Sequence, residues 1–127
     1  MTGLRVVEYL DPQGQPIGKG VALTREFKRT VEARARCDPH FREALFTEAI
    51  GAYLRGDTTT GRAILRDLVN ATLGFERLAA EIQKPSKSVH RMLSSRGNPS
   101  SDTFFRIVDA IQKKTRIRLR VTAARAS

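Results

Sequence analysis

The chain has 127 residues, 40% hydrophobic and 28% charged, with 23 Lys and Arg against 13 Asp and Glu for a net charge of +10. That size and mix fit one domain with a short appended arm, and exclude a disordered or collagen-like chain. The charge points to a polyanionic partner, no apolar run approaches the roughly 18 residues of a membrane span, and a lone Cys37 excludes an intrachain disulfide.

The N-terminus lacks the charged and apolar regions of a secretory signal, so the reducing cytoplasm is the expected compartment. Residues 4–10, LRVVEYL, are rich in β-branched and aromatic types and read as a strand. The Pro- and Gly-rich DPQGQPIGKG that follows reads as a loop, with a weak second strand at Val21–Leu23. From Thr24, a suitable N-cap, the period becomes helical through Phe27, Val31 and Ala35. Cys37 at its end reads as a small apolar filler.

Asp38 and Pro39 then restart the helix, one as cap and the other at the first helical position. Phe41, Leu45, Ala49, Ala52 and Tyr53 make one apolar stripe and Phe46, Ile50 and Leu54 a second, so this helix should be buried on two sides. Gly56 stops it. Asp57 caps a further helix to about Leu73, with Ile64, Leu65, Leu68, Val69 and Thr72 inward, and Gly74 ends it.

Two short helices follow in residues 75–95, then one after NPSS with Phe104, Ile107, Val108 and Ile111 inward and Lys113 and Lys114 at its C-terminal end. The chain closes on TRIRLRVT, where Ile117, Leu119 and Val121 alternate with Arg116, Arg118 and Arg120, a strand period of two. Such a strand needs a neighbour, either residues 4–10 or a second copy across a dimer. The arginine row either flanks that interface, lies near phosphates or guards an edge. The expected organisation is an arm of strand, loop and helix over 1–36 and a helical domain over 37–127 ending in a β-strand.

The charge is concentrated. Residues 1–74 carry 11 basic and 9 acidic side chains, and residues 75–127 carry 12 and 4. Within the second part the two short helices meet the demands of a helix-turn-helix. Ala79 is small where the helices touch, Leu78, Ile82, Val89, Met92 and Leu93 fill the wedge, QKPS makes a short turn, Pro85 ends the first helix and Ser86 caps the second. The outward face of the second helix is Ser86, Lys87, His90 and Arg91, with Ser94 a turn on. These side chains suit base edges in a major groove. Arg77, Lys84, Arg96, Ser100, Ser101 and Arg106 surround them as phosphate contacts. A basic face of this kind is also common on solvated helices, so the case rests on its conjunction with Ala79, the apolar spacing and the short turn.

Phe75 to Val121 resembles the C-terminal part of the HigA-like, Xre-type helix-turn-helix antidotes of bacterial toxin–antitoxin modules. The matching features are Ala79, the SVHRML of Ser88–Leu93, the Gly97-Asn98-Pro99 loop, the helix of Ser101–Lys114 and the terminal Arg116–Val121. The likeness reaches upstream to about residue 40, and residues 1–36 lie outside it. One departure is Gln83-Lys84, where the family's turn has Gly and then an apolar residue. Gln is less comfortable at a position that often needs positive φ.

The resemblance implies a mainly α, lambda-repressor-like helix-turn-helix domain with short terminal β-strands. It also implies a homodimeric repressor that binds double-stranded operator DNA and a toxin protein, a RelE-like mRNA interferase. Two other readings use the same residues: a stand-alone regulator without a toxin, and an interaction module in which residues 24–74 engage a protein while the basic half binds an acidic partner. An enzyme is disfavoured. His40 and His90 are far apart, Cys37 is alone, and neither a metal-ligand spacing nor a Gly-rich phosphate loop occurs. No cofactor is expected.

Overall fold

The structure, a computed structural model, describes residues 25–126, which form six helices: α1 (Arg25–Cys37), α2 (Pro39–Leu54), α3 (Thr58–Ala71), α4 (Phe75–Ile82), α5 (Ser86–Met92) and α6 (Ser101–Thr115). The chain is mainly α. The expected strands at 4–10 and 21–23 and the Thr24 cap lie outside the described residues. Among the described residues no helix is long and apolar enough to cross a membrane.

Local chemistry sets most of the boundaries. Asp38 is extended at φ −118°, and its carboxylate accepts from the backbone N–H groups of His40 (3.0 Å) and Phe41 (3.2 Å) at the start of α2, with Pro39 at the first helical position. The Phe41 N–H, helped by that of His40 and by Arg34 at 3.7 Å, holds the Asp38 carboxyl below its ordinary pKa against a smaller opposing effect of desolvation. Asp57 caps α3 through the Thr60 N–H at 3.2 Å. Gly56 (φ 85°) and Gly74 (φ 83°) take the positive φ that ends one helix and admits the next. Ser100 caps α6 by accepting from the Thr103 N–H at 3.2 Å, and the basic end of α6 pairs Lys113 with Asp109 at 2.9 Å.

One apolar cluster joins all six helices. Phe27, Val31 and Ala35 of α1 enter it with Leu45, Phe46 and Ala49 of α2 and Ile64, Leu65, Leu68 and Val69 of α3. Leu78, Ala79 and Ile82 of α4, Val89 and Leu93 in and just after α5, and Ile107, Val108 and Ile111 of α6 complete it. Each large side chain so buried stabilises the fold by about 1.5–3 kcal/mol before chain entropy is counted. The helix of the expected arm is therefore built into the core.

Several expectations need correction. Leu54 is 73% exposed, because α2 ends at that residue and its last side chain passes beyond the packed faces. Helix α3 stops at Ala71, and Thr72 does not face the core: half-buried, it turns its hydroxyl back to donate to the Leu68 carbonyl at 2.7 Å. Cys37 is exposed. Ser86 does not cap α5. Pro85 occupies that position without a side-chain bond, leaving Ser86 one residue too late.

Residues 116–126 carry no strand. The period of two is present in part: Ile117 and Leu119 are half-buried against the core while Arg116, Arg118 and Arg120 are exposed, but Val121 is 80% exposed and breaks it. In place of a ladder, the Leu119 N–H donates to the Gln112 side chain at 2.8 Å and the Ile117 N–H to the Thr115 hydroxyl at 3.3 Å. An alternating pattern becomes a strand only when a second backbone meets it.

Candidate nucleic-acid interface

Helices α4 and α5 are joined by residues 83–85. Gln83 takes the left-handed conformation (φ 59°, ψ 48°), and Lys84 donates its N–H to the Ala79 carbonyl at 3.0 Å. The turn is thus the one that favours Gly, made here with Gln. Ala79, 6% exposed, lies in the core on α4, and on the α5 side Val89 and Leu93 are fully buried with Met92 half-buried.

That packing sends Lys87, His90 and Arg91 outward. All three are exposed, and among the described residues none makes a side-chain hydrogen bond or ion pair. His90 stacks on the Phe75 ring, centroids 4.1 Å apart and planes 19° from parallel, so its imidazole is held on the first turn of α4. The other two expected base-reading residues are placed differently. The Ser86 hydroxyl donates to Glu76 Oε2 at 3.2 Å, which also sets a carboxylate at the positive end of α5. Ser94 is half-buried and its hydroxyl donates to the Arg91 carbonyl at 2.7 Å. Three of the five expected residues share one outward face, His90 resting on Phe75, and two have hydrogen-bond partners within the fold.

Of the expected phosphate contacts, Arg77, Arg96, Ser101 and Arg106 are exposed and Lys84 is half-buried. Ser100 is exposed but its oxygen caps α6. Among the described residues the four basic members have no carboxylate partner.

Sequence reasoning missed what holds the far end of α5. Arg62 of α3, only 6% exposed, donates from Nε to the Ser94 carbonyl at 3.0 Å and from Nη2 to the Ser95 carbonyl at 3.2 Å. Arg66, one turn on, donates from Nη1 to the Leu93 carbonyl at 3.0 Å. Gly97 closes the same corner through its N–H to the Ser94 carbonyl at 3.0 Å. A Cβ there would overlap the Arg91 carbonyl oxygen and lie 2.5 Å from that of Met92. No sequence signal marked Arg62, whose partners are backbone carbonyls.

Among the described residues no group of three His, Cys, Asp or Glu side chains is placed to hold a metal ion. Comparison with protein-family models, curated proteins and solved structures returns no match. Function therefore has to be argued from the geometry.

Proposed function

We propose that this chain is a sequence-specific DNA-binding repressor in which α4, residues 83–85 and α5 act as a helix-turn-helix, α5 entering the major groove. The observation that carries the reading is the pair Lys87 and Arg91, exposed and unpaired on a helix whose opposite side is fully buried at Val89 and Leu93. Lys87 and Arg91 donate to guanine O6 and N7 or to phosphate, and His90 to a purine N7. Arg77, Lys84, Arg96, Arg106 and the α6 N-terminus with Ser100 and Ser101 lie against phosphates.

The resemblance to HigA-like antidotes extends the proposal. The chain acts as the antitoxin of a type II module, binds a RelE-like toxin and represses its own operon as a homodimer on two half-sites about one helical turn apart. Two such helices are needed because one alone buries little surface.

The test is a footprint of the full chain on the DNA upstream of its own gene, repeated with Arg91→Ala. A protected inverted repeat, weakened by salt and lost in a variant of unchanged melting temperature, is the expected result. Uniform salt-sensitive binding without a preferred site would overturn it. Co-purification with the product of an adjacent reading frame checks the toxin, and sedimentation checks the dimer.

A further inference from the structure

We infer that Arg62 and Arg66 of α3 are positioning residues for the DNA-reading helix, fixing the orientation in which α5 presents Lys87, His90 and Arg91; this rests on the DNA-binding reading above. Helix α5 has only seven residues. Its N-terminal end carries no side-chain cap and is held by the Ser86–Glu76 hydrogen bond. Its inner side is pinned by Val89 and by Leu93 just beyond its end. The His90–Phe75 stack adds a second tie to α4, so what remains to be fixed is the C-terminal end of this two-turn helix.

The arginines fix that end. Three charge-assisted hydrogen bonds, at 3.0, 3.0 and 3.2 Å, fall on the consecutive carbonyls of Leu93, Ser94 and Ser95. The Leu93 carbonyl is the cap acceptor at the negative end of the α5 dipole, and those of Ser94 and Ser95 follow it in the turn, where Ser94 also accepts from the Gly97 N–H. Arg62 spans two of them with one planar fork, a geometry a lysine ammonium cannot reproduce. Neither arginine has an ion pair among the described residues.

The full-length Arg62→Met and Arg62→Lys variants test this with two readouts: amide hydrogen exchange, and affinity for the footprinted operator against a random-sequence duplex. For Arg62→Met we expect faster exchange at Leu93, Ser94 and Gly97 with α2 unchanged. Operator affinity should fall about tenfold or more, the scale of one good base contact, while random-duplex affinity changes little. Arg62→Lys should recover part of both. If Arg62→Met fails to fold, Arg66→Met, which removes a single bond at a half-buried position, carries the same comparison.

Equal loss of operator and random-duplex binding would overturn the inference, as would exchange rising equally in α2 or remaining as in the parent. If the parent protein footprints no operator, the DNA reading itself has failed. The exchange arm then still decides whether these arginines hold α5.

Discussion

Asp67 is a carboxylate in the wrong medium, and its cost can be measured. It lies on α3 at 2% exposure, and its Oδ2 has no hydrogen-bond partner. Burial first, and then the charge of Glu32 on α1, push its pKa from 3.8 up to about 7, against the pull of Lys28 and Arg66. In the unfolded chain the group ionises near its ordinary value; the fold keeps it protonated to about pH 7. Between those values the folded state binds a proton that the unfolded chain has released, so stability falls as pH rises from about 4 to about 7 and the full cost stands above that. The difference between the two pKa values corresponds to ~4 kcal/mol as an upper bound.

Asp67→Asn removes the charge but keeps a buried polar group whose unmet hydrogen bonds cost about 1–3 kcal/mol. The variant should therefore be more stable than the parent at pH 8 by about 1–3 kcal/mol, and equal or slightly weaker at pH 4–5. Urea unfolding followed by far-ultraviolet circular dichroism, at unit intervals from pH 4 to 8, gives the difference directly. Parallel stability curves across this range would refute the argument, because they would mean that Asp67 is ionised in the fold without penalty.

Three further outcomes are expected. Gln83→Gly should raise the urea midpoint by about 0.5–1 kcal/mol equivalent, since a left-handed residue with a Cβ is strained; a fall would mean that the Gln side chain contributes more than its backbone costs. Gly97→Ala should lower the melting temperature and speed exchange in residues 93–97, because its Cβ meets the backbone of α5 itself; unchanged exchange would count against that close approach. Ala79→Leu should destabilise by roughly 1–3 kcal/mol through overpacking between α4 and α5, measured by the same unfolding curves, and a variant as stable as the parent would argue against this packing.

What could be read in the sequence was local. Asp38, Gly56, Asp57 and Gly74 act on amides a few residues away, so the ends of α2 and the start of α3 follow from composition and spacing. The apolar periods found the core, and the buried side of α5 followed from Val89 and Leu93. Failures came where a distant neighbour decides. Leu54 obeys the period yet has nothing to pack on. Ser86 suits a cap, but Pro85 takes that position and Glu76 takes the hydroxyl. The Arg116–Val121 alternation holds in burial as far as Leu119 and fails at the exposed Val121, while its backbone finds side chains rather than a strand. Arg62 looked like any helical arginine, because its partners are carbonyls 32 and 33 residues later and a carbonyl has no signature in sequence.

That separation also bears on the order of assembly. Helices of seven and eight residues are far too short to persist alone in water. Helices α1, α2 and α3 are about twice that length and pack mainly on one another, so they can form a unit before α4 and α5 do. The corner at residues 93–97 closes only when Arg62 is already in place across some thirty residues. The surface proposed to meet DNA should thus be the last part of the protein to form and the first to come apart. Substitutions at Arg62 would then speed unfolding far more than they slow folding, and stopped-flow kinetics would register them chiefly in the unfolding limb.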